Sequence, residues 1–147
     1  MGSGLEQEIR IGGLAIRFLV EKEASGGSVA IFEFDVASGA KVPVAHSHDG
    51  YEETIYGLAG VLTLTVDGKK TEVGPGNALC IPRGAIHRFD NFHANEARAL
   101  AVVTPGLLGP DFFREVAQVF HAAAGGPPDP AAIGAVMRRH GLTPHPN

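Results

Sequence analysis

At 147 residues, 44% hydrophobic and 19% charged, the chain has the size and polarity of one soluble globular domain with a single core. Its formal net charge of −4 and its lack of a long basic run exclude the electrostatic footprint of a general nucleic-acid binder. No apolar run reaches the roughly 20 residues that cross a bilayer, and 20 glycines with 10 prolines favour short strands and turns over a helical bundle.

Met1 to Gly4 has the character of an expression scar or a frayed terminus and is left out of the fold reading. Met1 to Arg10 holds no basic-then-apolar leader, and the lone Cys80 has no partner for an internal disulfide, so a reducing, cytoplasmic setting is expected. Ile9 to Val20 and Val29 to Val36 are rich in β-branched and aromatic residues and read as strands. Alternation in the second places Phe32 and Phe34 on one face. Glu53 to Ala59 and Val61 to Val66 continue the series, and Asp67-Gly68 is a strong hairpin signal. Ala78 to Ile81 and Ala97 to Thr104 bring it to at least seven short strands, the pattern of an antiparallel barrel or sandwich. Cys80, in mid-strand among apolar neighbours, reads as a small buried hydrophobe.

The tail changes period. Asp111 to Phe120 spaces its apolar residues three and four apart, which predicts an amphipathic helix whose stripe of Phe112, Phe113, Val116 and Phe120 must bury against the barrel or cover a site as a lid. After Gly125-Gly126-Pro127-Pro128, Asp129 as N-cap and Pro130 in the first turn announce a second helix that stops at Gly141. The expected division is therefore a β-barrel domain over residues 5–107 and a helical extension over 108–147 packed on it.

Two segments carry chemistry. In the first, Gly39 to Gly60, His46 and His48 lie two apart, so a strand would project both imidazoles to one side. Asp49-Gly50 then looks like a turn that returns Glu53, or its neighbour Glu52, to the same place. Two imidazoles and a carboxylate form a partial site for a borderline divalent metal. The second segment, Gly76 to Asn91, sets a strand, a Pro-x-Gly turn and His87 in order, and His87 is the candidate fourth ligand. His93, His121, His140 and His145 fall outside both segments and are not assigned to the site; His140, just before Gly141, reads as a cation near a helix C-terminus.

At these residues the sequence resembles the cupin superfamily, in particular its small single-domain, quercetinase-like barrels. The family's first motif places Gly, HxH, then Glu after three or four residues and Gly after six more. Here four residues separate His48 from Glu53, and six separate Glu53 from Gly60. Its second motif, Gly-x5-Pro-x-Gly-x2-His-x3-Asn, is matched by Gly76, Pro82, Gly84, His87 and Asn91, with 15 residues between Gly60 and Gly76. One departure is that Gly39 stands six residues before His46 instead of five. The resemblance, spanning about Val29 to Thr104, implies an all-β fold: a single double-stranded β-helix, or jelly-roll-like, barrel with a short helical extension. It implies one divalent transition metal, iron, manganese, nickel, cobalt or zinc, on His46, His48, Glu53 and His87, and motif spacing selects Glu53 over Glu52.

Three histidines and a glutamate would leave two open positions on a six-coordinate ion, which suits a small-molecule substrate with adjacent oxygens. The implied activity is a metal-dependent dioxygenase, with Glu53 as a catalytic base that can loosen from the metal. A non-redox isomerase or lyase and a non-catalytic binding module are the alternatives. Ile9 to Val20 is a candidate for edge pairing in a homodimer. Of the aromatic residues near the ligands, Tyr51, Tyr56, Phe89 and Phe92, one is expected to line the pocket.

Overall fold

Alternating side chains sort this chain into strands with one apolar and one polar face, and two such sheets close by burying their apolar faces against each other. The computed structural model describes residues 8–40, 42 and 44–146. The Met1 to Gly4 segment and the expected first barrel residues, 5–7, lie outside the described residues.

The strands are β1 (Glu8–Ile11), β2 (Leu14–Val20), β3 (Ala30–Val36), β4 (His46–His48), β5 (Glu52–Ala59), β6 (Leu62–Val66), β7 (Lys69–Val73), β8 (Ala78–Ile81), β9 (His87–Asp90), β10 (Ala97–Thr104) and β11 (Leu142–Pro144). Two helices, α1 (Pro110–Ala122) and α2 (Pro130–Arg139), stand between β10 and β11. One sheet has the order β1-β2-β3-β10-β5-β8 and the other β11-β4-β9-β6-β7. Every pairing is antiparallel. The fold is thus an all-β barrel of two facing sheets with C-terminal helices, as expected.

Local chemistry accounts for most element ends. Asp67 and Gly68 both take positive φ, 48° and 83°, and close the β6–β7 hairpin with Val66 opposite Lys69. Asp129 caps α2 by accepting a hydrogen bond from the Ala131 amide at 3.0 Å, with Pro130 in the first turn. The segment Ile9 to Val20, expected as one strand, is instead two, turning at Gly12 with φ of 55° so that Ile11 faces Leu14. Gly60, the closing glycine of the first motif, also has positive φ, and a Cβ there would lie 2.4 Å from the Glu96 carbonyl oxygen.

Inward positions make the core: Phe32 and Phe34 from β3, Ile55 from β5, Leu64 from β6 and Ile81 from β8 are all buried. The reading of Cys80 as buried is corrected: Cys80 is exposed. It pairs with Thr54 on the outer face of the six-stranded sheet, because alternation in β8 turns Ile81 to the interior.

On that outer face the polar residues interlock. Arg17 on β2 meets Glu8 on β1 at 2.9 Å and, on β3, Glu33 at 2.8 Å and Asp35 at 2.9 Å. Arg98 on β10 reaches Asp35 at 2.8 Å. The network therefore crosses four neighbouring strands around the buried Asp35. Burial pushes the Asp35 carboxyl up, but the hydrogen bonds from Arg17 and then Arg98 outweigh it and hold the group below the usual carboxylate range. A carboxyl lowered in the folded state stabilises the fold above its unfolded value, near pH 4, and that contribution is lost as pH falls through the lower folded value. Asp35→Asn is expected to lower the melting temperature at pH 7 and to flatten its decline below about pH 4, followed by circular dichroism.

Asn91, the last residue of the second motif, ties the end of β3 to the loop that follows β9. Its amide donates to the carbonyls of Val36 and Asn95 at 3.0 and 2.9 Å, and its side-chain oxygen accepts from the His93 amide at 3.0 Å. Asn91→Ala removes these hydrogen bonds, one of them to the buried Val36 carbonyl, and is expected to cost about 1–3 kcal/mol in denaturant unfolding, with no loss of bound metal.

Candidate metal centre

The short strand β4 supplies the first two imidazoles. Alternation sends His46 and His48 inward and the buried Ser47 to the opposite side. β9 lies alongside with His46 directly opposite His87, and the two rings sit 4.5 Å apart between centroids. The His48 and His87 rings are 4.6 Å apart. One ring nitrogen or more from each of the three histidines falls within 4.8 Å of the others, a spacing that could hold a metal ion.

Glu53 arrives from the other sheet. It stands on β5, opposite Val103 and Ile81, and its Oε1 lies 3.3 Å from His48 Nε2 and 3.7 Å from His87 Nε2. The competing Glu52 pairs with the Arg83 guanidinium near the surface. Adjacent strand residues point to opposite sides, so Glu53 takes the inner position. The cluster therefore bridges the two sheets inside the barrel.

The tautomers follow from the hydrogen bonds. Nδ1 of His46, His48 and His87 lies 3.1, 3.1 and 3.0 Å from the carbonyl oxygens of Val44, Tyr51 and Ala85. A carbonyl can only accept, so each Nδ1 carries the hydrogen and Nε2 is the nitrogen that a neutral ring offers as an acceptor. His48 Nε2 and His87 Nε2 are buried without a hydrogen-bond partner. Burial, then the neighbouring His87, pushes His46 down to about 4. Burial likewise lowers His87, against the opposing pull of Glu53. Burial alone would raise the Glu53 carboxyl, but His48, with Nε2 at 3.3 Å, and then His87 and His46 hold it below its ordinary value. Neutral imidazole nitrogens and an ionised carboxylate face one another, an arrangement of acceptors that a bound cation satisfies.

Second contacts hold this set in place. The Tyr51 ring stacks on His48 with centroids 4.1 Å apart and planes 14° from parallel, while its carbonyl orients the same imidazole. Its phenol is buried without a hydrogen-bond partner, and burial followed by the Glu53 charge raises its pKa. Gly84, in the Pro-x-Gly turn, donates its amide to the His48 carbonyl at 2.9 Å. β11 pairs along the far edge of β4, Leu142 opposite His48 and Pro144 opposite His46, and Ser47 Oγ meets His145 Nε2 at 2.9 Å.

A cavity of about 60 Å³ opens beside the cluster. His46, His87 and Glu53 line it together with apolar side chains from both sheets, among them Phe34, Ile55, Leu64 and Ile81. Of the four aromatic candidates, Phe89 lines the cavity, Tyr51 packs behind His48, and Tyr56 and Phe92 are exposed. The sequence reading did not assign the residues that close the far wall, Leu108, Phe112, Phe113, Val116 and Leu142. The apolar stripe on α1 signalled three of them; the three-residue β11 carried no readable signal. His140 is paired with Glu115 at 2.9 Å and stays outside the site.

Residues 32–103 match the family model described as the cupin domain. A Bacillus subtilis protein named quercetin 2,3-dioxygenase is 27% identical over 112 residues, covering 76% of this chain and 32% of that relative. The chain thus spans about a third of the length of the curated relative it matches. The structure of a predicted oxalate decarboxylase from Thermotoga maritima superposes with a TM-score of 0.65 at 22% identity, covering 71% of this chain and 99% of that one. That of a sugar phosphate isomerase from a cupin superfamily, from Silicibacter pomeroyi, gives 0.57 at 24% identity, covering 71% and 75%. Likeness at this level speaks to the fold. With its two facing antiparallel sheets, the matched domain and the histidine strands that the sequence spacing announced, the chain belongs to the cupin superfamily.

Proposed function

We propose that the chain is a metal-dependent enzyme acting on a small, oxygen-chelating organic substrate, and that the reaction is a dioxygenation. The observation that carries the reading is the convergence of three imidazoles beside an apolar cavity, with the Glu53 carboxylate close to two of them. His46, His48, His87 and Glu53 would hold one divalent ion. Their imidazole and carboxylate donors suit iron, manganese, nickel, cobalt or zinc. When bound, such an ion supplies Lewis-acid polarisation of a chelating oxygen and, if redox-active, access to dioxygen chemistry. The likeness to a protein named quercetin 2,3-dioxygenase supports the choice of dioxygenation.

The chain's own residues set the conditions for that chemistry. The backbone acceptors of Val44, Tyr51 and Ala85 hold the three imidazoles by Nδ1 and turn their Nε2 atoms inward, so they enter the site as acceptors. Glu53, largely enclosed and held in its ionised form, is placed to take a proton from an enolisable substrate. The apolar walls exclude bulk water, which strengthens each charge interaction inside. The reading also includes a cytoplasmic homodimer; a monomer mass by light scattering would remove the dimer.

Elemental analysis of protein purified without added metal is expected to find near-stoichiometric transition metal, reduced to about a tenth or less in the His48→Ala, His87→Ala double variant. Absence of metal after reconstitution would overturn the enzymatic reading and leave a binding module. Oxygen uptake by the metal-loaded chain with an enolisable diketone supports dioxygenation. Turnover of the same compound without oxygen uptake would move the reading to a Lewis-acid isomerase or lyase.

A further inference from the structure

The residues that shape the cavity come from two sources. The polar side is built by the matched domain, whereas part of the apolar wall comes from the tail beyond residue 103: Leu108, Phe112, Phe113 and Val116 near α1, and Leu142 on β11. This wall is anchored. Phe113 packs on the rings of Phe18 and Phe32 at 5.8 and 5.1 Å, and Phe112 lies 5.6 Å from His140. Glu115 on α1 holds Arg139 and His140 at 2.6 and 2.9 Å, which joins α1 to the end of α2. α2 leads directly into β11, hydrogen-bonded along the histidine strand β4.

The space left is small. A cavity of about 60 Å³ is small beside the roughly 300–1,000 Å³ of a site for a drug-sized ligand, and so favours a compact occupant. Its lining is also chemically one-sided. Among the described residues, His46, His87 and Glu53 are the polar side chains that line it, and no arginine, lysine or hydroxyl side chain does. A carboxylate or phosphate extending away from the cluster would be buried without a partner, as would the hydroxyls of a sugar.

We propose that the C-terminal extension sets the substrate class of this centre, restricting it to compact, uncharged, apolar-bodied chelators such as short-chain diketones and hydroxy-ketones, with Phe113 and Val116 as the residues that limit size. The inference rests on the metal-centre reading above and adds to it the identity of the ligand's body.

The test uses the full chain loaded with cobalt(II), whose visible absorption reports a change in its ligands. Acetylacetone, dibenzoylmethane as a bulky diketone, and oxalate as a charged chelator are titrated in turn, with melting temperature as a second readout. Acetylacetone is expected to shift the spectrum and raise the melting temperature, and the other two to do neither at the same concentration. Phe113→Ala is expected to tighten dibenzoylmethane binding by at least about tenfold without changing cobalt content, and Val116→Ala serves if the first variant does not fold. Equal binding of dibenzoylmethane and acetylacetone by the native chain would overturn the size limit. Tighter binding of oxalate would overturn the restriction to uncharged ligands. Bound cobalt with no response to any diketone would overturn the substrate class alone, whereas failure to bind cobalt would overturn both this inference and the reading beneath it.

Discussion

Three imidazole acceptors and a carboxylate held together inside an apolar barrel are the constraint on which the rest of this structure turns. Buried acceptors facing one another repel and lack hydrogen-bond donors, so the fold must force them together and something must compensate them. The forcing is visible in the backbone: carbonyls of Val44, Tyr51 and Ala85 each hold an imidazole by Nδ1, and Tyr51 adds a stacked ring behind His48. In the proposed function the compensation is a divalent cation, which would link occupancy of the site to stability of the fold.

The histidine strand itself is only three residues long and would not persist alone. β9 pairs with it on one side and β11 on the other, and Gly84 ties the Pro-x-Gly turn to the His48 carbonyl. The tail therefore has two positions in one architecture. Through β11 it supports the strand that presents His46 and His48, and through α1 it closes the cavity beside them. Glu53 depends on neither, since β5 is held between β10 and β8 in the opposite sheet. The site is consequently sensitive to how the two sheets face each other, a relation set by the core.

Charge is divided between the two faces of the six-stranded sheet. Outside, Asp35 gathers Arg17 and Arg98 across neighbouring strands, where water and paired cations stabilise the ionised carboxylate. Inside, among the described residues, Glu53 faces the imidazoles of His48 and His87 and the apolar walls of the cavity. The same side-chain chemistry thus serves strand cohesion on one face and the proposed reaction on the other, and the pleat alone separates the two uses.

Much of this was legible in the sequence. Period-two alternation located most strands, Asp67-Gly68 located a hairpin, and Asp129-Pro130 located the start of α2, because each of these signals acts over a few neighbouring residues. The spacing of His46, His48 and His87 named three residues whose ring nitrogens the fold brings within 4.8 Å of one another, with Glu53 near His48 and His87. Other features were decided only by tertiary structure. Gly12 turns a continuous apolar run into two strands, and Cys80 faces solvent because Ile81 takes the inward position. A three-residue strand ending in proline becomes regular only because β4 offers it an edge. The sequence by itself determined local period, turn chemistry and the candidate ligands, since these depend on residues close along the chain. Which sheet presents each ligand, which ring stacks behind His48 and how small the cavity becomes were left to packing between residues up to a hundred positions apart, whose register local pattern does not encode.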